Sequence, residues 1–316
     1  MAFGHGRIKS AAVILGILSL ALSVIPSLFH KKGMVSRLTE TGASFERTYD
    51  FSDFRSREHR IYFSIPRDSV EQTEVIFGIS RADLRQILDR EAERLSELYP
   101  GRIKVEIDSD LSYSCQYRED STHLVREFRS AYEEAIHRYY SDHFIKKINS
   151  NTLQVDYAAM QRWQAPYVRP VYDALHTEAR NSSMNERDFI TFMSNFVQQI
   201  PYKTPPDSQN GRQIFGVWPP LISLKENAGD CDTKSTLFAT IYTHYRKNGC
   251  ILILTPRHAF IGIKDQHQVF PRDRITRIGG REYLLVEMTA PSEMGKVSPR
   301  ELSNIRNGRF RYLAFH

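Results

Sequence analysis

Two hydrophobic periods alternate along the chain, and they set out most of its elements. Arg60 to Ile65 reads as a strand that Pro66 stops. Ser80 is a natural helix N-cap, and Leu84, Ile87, Leu88, Ala92, Leu95 and Leu98 recur at helical spacing until Pro100-Gly101. Ile103, Val105 and Ile107 then alternate with polar residues, as in a half-buried strand. A second helix is predicted from about Ser121 to Ile148, with Leu124, Phe128, Ala131, Ala135 and Ile136 inward. Its His137 and His143 read as surface or packing residues. Residues 33–58 are polar and charged and read as a tether plus loop.

The pattern changes at Val155. Pro166 and Pro170 are expected to interrupt a helix. Ser183-Met-Asn-Glu186 has the form of a capping box, followed by an aromatic stripe of Phe189, Phe192, Met193, Phe196, Val197 and Ile200. Such a stripe reads as core. Residues 203–229 form a long loop carrying Thr-Pro-Pro and Gly216-Val-Trp-Pro-Pro220, and its length suits a cleft wall. A helix follows from about Cys231 to Lys247, ended by Asn248-Gly249. Three strand-like runs come next: Cys250–Leu254, Ala259–Ile263 and Tyr283–Met288. Helices first and a sheet afterwards define an α+β class. The expected parts are 1–32, an N-terminal transmembrane anchor or signal segment; 33–150, a small α+β region without evident chemistry; and 151–316, a helix bundle followed by a sheet.

Ala11 to Phe29 carries no charge, with Arg7 and Lys9 before it and Lys31 and Lys32 after it. The length suits one bilayer crossing. A cleaved signal peptide is the alternative, with Ala21-Leu-Ser23 as its cleavage region, and a buried helix is a third. The apolar run continues past Ser23, which favours an uncleaved single-pass anchor. A short basic tail stays inside, so the remaining chain is expected across the membrane. In a bacterium that is the inner membrane, with a periplasmic or extracellular domain.

The chain is long enough, at 316 residues, for a sizeable core. Its net charge of +6 comes from basic residues interleaved with acidic ones, so no nucleic-acid partner is expected. Three cysteines, Cys115, Cys231 and Cys250, give neither a disulfide scaffold nor a metal knuckle, and no cofactor is implied. Two buried thiols behaving as small hydrophobes are the default for Cys115 and Cys250; in an exported domain they could instead pair and leave Cys231 free.

The candidate chemistry lies in Gly229-Asp-Cys-Asp-Thr-Lys-Ser-Thr236. Cys231 opens a helix, where unpaired N–H groups and the positive dipole end favour a thiolate. Asp230 and Asp232 are simple capping residues. His258 follows in an apolar run, and Glu287 in another, where a carboxylate needs a partner. Asp265 is a fallback carboxylate. Nucleophile, base and orienting carboxylate are the parts of a thiol acyl-transfer triad. Cys231 N–H would give one oxyanion donor. Gln198, Tyr202 and Trp218 compete for the second.

Ile200-Pro-Tyr202, Gly229-Asp-Cys-Asp, His258-Ala-Phe-Ile-Gly and Val286-Glu-Met-Thr289, in this order, resemble the transglutaminase-like superfamily, specifically its bacterial cysteine peptidases. The resemblance covers roughly Glu186 to Gly295. It implies a papain/transglutaminase-like core, with Cys231 as nucleophile, His258 as base and Glu287 as the residue orienting it. Many members carry aspartate in the third position, so glutamate is a departure. The expected reaction is cleavage of a peptide or other amide bond in a peptide or protein substrate. A transamidase on the same triad and a non-catalytic binding or scaffold protein are the alternatives.

Overall fold

A computed structural model describes residues 34–53, 55–149, 152–264 and 270–315. Ala11–Phe29 and Asp265 lie outside the described residues. Among the described residues no helix is long and apolar enough to cross a membrane. The chain is a mixed α+β protein with eight α-helices among those residues and antiparallel sheets. It divides into two compact units, and their limits differ from a division at residue 150.

One unit comprises Ile76–Asp156 and Asp207–Phe215. To number the elements in chain order, β1 (Val35–Glu40), β2 (Ser44–Ser52), β3 (Glu58–Pro66) and α1 (Arg67–Ile76) come first. The unit then holds α2 (Arg81–Leu98), β4 (Ile103–Ile107), β5 (Tyr113–Tyr117), α3 (Thr122–Asp142), β6 (Ile145–Asn149) and β7 (Thr152–Val155). Ser80 caps α2 through Asp83 N, as its sequence position predicts. The α3 helix stops at Asp142, short of Ile148, because Phe144 turns into the left-handed region and β6 pairs with β7. The 207–215 segment adds the short strands β8 (Ser208–Gln209) and β9 (Arg212–Gln213), held by Ile79 pairing with Gln213. Buried Arg212 donates to the carbonyls of Phe77 and Gly78 and pairs with Asp83.

The second unit takes in the described residues up to Val75, Tyr157–Pro206, and those from Gly216 onward. Residues 33–58, expected as a loop, contain β1 and β2, which with β3 form an antiparallel sheet in the order β1-β2-β3. Phe45, Arg47, Tyr49 and Phe51 alternate with polar residues on β2, and this inward row packs while the other face stays wet. The α4 helix (Tyr157–Asn181) runs through Pro166 and Pro170. Both prolines sit off the buried face, so the carbonyls they orphan are on the outer side. The inner row of Gln164, Val168, Val171 and Leu175 holds the helix together. The α5 helix (Glu186–Gln199) is capped by Asn185, which accepts from Asp188 N. Ser183 has φ of 49° and does not act as the cap expected of it.

The supposed long loop contains α6 (Pro220–Glu226), started by Pro220 at the first helical position. The α7 helix (Cys231–Tyr242) is buried on every side and ends before Lys247. It packs against α4, α5 and α6 and against the sheet. That sheet is formed by β10 (Cys250–Thr255), β11 (His258–Lys264), β12 (Ile275–Ile278), β13 (Arg281–Val286) and β14 (Arg311–Ala314) in the antiparallel order β12-β13-β11-β10-β14. The α8 helix (Pro299–Arg306) lays Leu302 and Ile305 against the sheet cluster around Phe260 and Leu285. Cys115, Cys231 and Cys250 are all free buried thiols, so the Cys115–Cys250 pairing is not present.

Candidate active site

Cys231 is the first residue of α7. Two contacts fix that start. Asp230 accepts from Thr233 N as the N-cap, and Thr233 Oγ1 accepts from Trp218 N at 3.2 Å. Gly229 precedes the cap because a Cβ there would stand 2.7 Å from Thr233 Cγ2 and 3.2 Å from Lys234 Cγ. Its backbone lies beside the chain leaving α5: Gly229 N donates to Pro201 O, and Lys203 N donates to Gly229 O.

His258 begins β11, and Glu287 directly follows β13. The ladder pairs Ile261 with Val286, which makes Phe260 the neighbour of Glu287 and places His258 diagonally across from it. Nε2 of His258 lies 2.7 Å from Oε2 of Glu287. The other oxygen of Glu287 accepts from Met288 N, Thr289 N and Thr289 Oγ1 at 2.9, 2.8 and 2.6 Å. An ionised carboxylate suits three donors on one oxygen and an imidazole N–H on the other. Burial alone would raise Glu287, but His258 and Thr289 hold it below the ordinary carboxyl range. Burial likewise works to lower His258, and Glu287, with Glu301 behind it, outweighs burial and raises the imidazole. Glu301 is nearly inaccessible on α8, where Asn304 and Arg300 hold it. With Nε2 engaged, Nδ1 is the ring nitrogen left to serve a thiol.

The Cys231 thiol differs from what its helix position predicts. Burial pushes it well above the ordinary thiol range, and Asp232 and Asp230 add to the rise. The Ala259 amide, next to His258, hydrogen-bonds the sulfur and pulls the other way. Burial is the largest influence on this thiol, and it disfavours the thiolate that the helix position favours. Asp232 accepts a short hydrogen bond from the buried Tyr157 hydroxyl and is hydrogen-bonded to Asp230. Burial and the neighbouring Asp232 carboxylate push Asp230 up from the ordinary carboxyl range.

Of the three side chains expected to compete as oxyanion donor, Gln198 is already committed. Its Nε2 donates to Glu287 O and Ser292 O at 2.7 and 2.9 Å. Trp218 is buried, whereas Tyr202 is 39 % exposed. Burial raises the Tyr202 phenol, and Cys231 and the paired aspartates reinforce the rise, which keeps it a hydrogen-bond donor. Sequence reasoning gave no role to Lys234. It is wholly buried, and burial draws its ammonium down to about 7 against the opposing pull of Glu287 and Asp230. A lysine as the one basic residue of a helix that is otherwise mostly small or apolar is the signal that could have marked it. Among the described residues no group of three or more His, Cys, Asp and Glu side chains converges as a metal ion would need. No family model, curated protein or solved structure matches the chain.

Proposed function

We propose that the chain is a thiol acyl-transfer enzyme of the transglutaminase-like type, cleaving a peptide or other amide bond through an acyl-enzyme on Cys231. The observation that carries this reading is the His258–Glu287 pair. An imidazole held through Nε2 by a fully hydrogen-bonded carboxylate is oriented and made more basic, one residue from the Ala259 amide that meets the Cys231 sulfur.

Because burial disfavours the thiolate, His258 acts in this reading as a general base rather than as half of a preformed ion pair. Nδ1 takes the thiol proton as sulfur attacks the carbonyl carbon. The C–O double bond becomes an oxyanion, met by Cys231 N–H and the Tyr202 hydroxyl. The oxyanion collapses, the C–N bond breaks, and the departing amine receives the proton from His258. The thioester then goes to water, giving a carboxylate, or to a second amine, giving a new amide. Residues 11–29 would tether this domain to a membrane, with a peptide or protein as substrate.

The rise of the Cys231 thiol favours a second reading, a binding or scaffold protein on the same fold. Treatment with p-nitrophenyl acetate, followed by peptide mapping, separates the readings. The enzyme acquires an acetyl group on Cys231 and turns over repeatedly, and His258→Ala abolishes the turnover. Slow acetylation spread over surface lysines, unaffected by His258→Ala, would leave the scaffold reading. Added hydroxylamine or a diamine as acceptor tells transamidation from hydrolysis.

A further inference from the structure

The whole Lys234 side chain lies inside the protein, three residues beyond Cys231 on the same helix. Its ammonium donates to three main-chain carbonyls, those of Ile200, Gln198 and Thr289, at 2.7, 2.9 and 3.4 Å. Three acceptors match the three protons of an ammonium. None of the acceptors is a carboxylate. A methionine of similar length would fill the space without the desolvation that a buried charge suffers. The charge therefore has work to do at this position beyond filling volume.

The acceptors indicate what that work is. Gln198 and Ile200 are at the end of α5, where the last carbonyls of a helix lack partners and the dipole favours a cation. Thr289 belongs to the turn after β13. Each acceptor leads onward to Glu287 or to the start of α7. Thr289 holds Oε1 of Glu287 with both its amide and its hydroxyl. The Gln198 amide side chain donates to the main-chain oxygen of Glu287 and exchanges a second bond with Ser292. Ile200 precedes Pro201, whose carbonyl takes Gly229 N at the entry to the cysteine helix. A single ammonium thus ties the nucleophile's helix to both structures that hold the carboxylate.

We propose that Lys234 is a positioning residue of the Cys231–His258–Glu287 site, fixing the Glu287 turn and the end of α5 relative to the helix that carries the cysteine. This inference rests on the acyl-transfer reading for its consequence, but its geometry can be tested apart from it. Removing the ammonium orphans three buried carbonyls and frees Thr289 and Gln198 to move. Glu287 then loses its fixed aim, and His258 loses the partner that raises its imidazole. A role limited to packing would lower stability while leaving the His258 titration where it was.

The test uses the full chain with Lys234→Met and Lys234→Gln, the second keeping donors without charge. Nitrogen NMR of the imidazoles follows the titration of His258, with His258→Ala giving the assignment and Glu287→Gln the reference for a lost carboxylate. Thermal melts report folding. In the folded Lys234 variants the His258 midpoint is expected to fall towards that of Glu287→Gln, by about one unit. The His258-dependent excess in Cys231 alkylation is expected to drop about tenfold. A His258 midpoint equal to wild type in a folded variant overturns the proposal. So does loss of a cooperative melt in both variants, which would assign Lys234 to the fold alone. If wild-type Cys231 alkylation ignores His258→Ala, the acyl-transfer reading fails, while the NMR midpoint still decides the role of Lys234.

Discussion

His258 meets Glu287 through Nε2 at 2.7 Å, while Met288 and Thr289 saturate the second carboxylate oxygen. Glutamate reaches the imidazole because its position just beyond β13 sets it diagonally across from His258. The extra methylene spans that offset, and the turn at Met288-Thr289 curls back to hold the carboxylate. The local backbone thus suits a glutamate at this position.

The pair makes stability depend on pH in a defined window. The raised imidazole contributes fully below its ordinary value of 6.5, and its contribution fades as pH climbs through the raised one. The lowered carboxyl contributes above its ordinary 4.5 and fades as pH falls through the depressed value. Glu287→Gln should therefore cost most between those two ordinary values, about 1–3 kcal/mol by urea denaturation. The cost should shrink above neutrality. A constant deficit across the range would mean that charge is not what joins the two side chains.

Asp232 raises the Cys231 thiol, so neutralising it should ease deprotonation. Asp232→Asn still offers an oxygen to Tyr157. Iodoacetamide labelling of Cys231 at pH 7, read by peptide mass spectrometry, should become faster, by about tenfold for each unit the thiol falls. Slower labelling would show that the aspartate activates the cysteine instead.

Of the three proposed side-chain oxyanion donors, Tyr202 is the exposed one; its phenol feels the charge of Cys231 and is hydrogen-bonded to Thr204. Tyr202→Phe should lower acylation by p-nitrophenyl acetate about 10²-fold. Its stability should change by no more than about 0.5 kcal/mol, as expected for an exposed group. Unchanged acylation would remove Tyr202 from the site.

Gly229→Ala tests the seat of the cysteine helix. The added methyl would press on Thr233 Cγ2 at 2.7 Å and on Ser223 Oγ at 3.2 Å. The expected cost is about 1–3 kcal/mol, with a parallel loss of Cys231 acylation. A variant that melts like wild type would mean that the first turn of α7 yields easily.

The candidate site residues stood out in the sequence more clearly than the boundaries of the elements around them. Cys231, His258 and Glu287 stand out because a cysteine with aspartates on both sides, and charged groups in apolar strands, break the local pattern. The last two come together as the pattern requires. Boundaries were less legible where tertiary contacts override local preference. Pro166 and Pro170 fall on the outer side of α4, so its buried row carries the helix through them. Asn185 displaces Ser183 as cap because the chain turns left-handed at Ser183. β2 was hidden by the charges on its wet face, although its Phe45-to-Phe51 alternation was there to be read. The thiol's rise could not be read from sequence at all, since it depends on how deeply α7 is enclosed. Lys234 is similar: its meaning comes from Ile200, Gln198 and Thr289, which only the fold gathers.

The most direct test of the central claim is the pH dependence of Cys231 alkylation in wild type and His258→Ala, with Cys115 and Cys250 followed as buried internal references. If His258 is the base, wild-type labelling near pH 7 exceeds that of His258→Ala by about tenfold or more, and the two curves converge at high pH, where the thiol ionises unaided. Superimposable curves across the range would contradict the account and leave Cys231 an inert buried thiol.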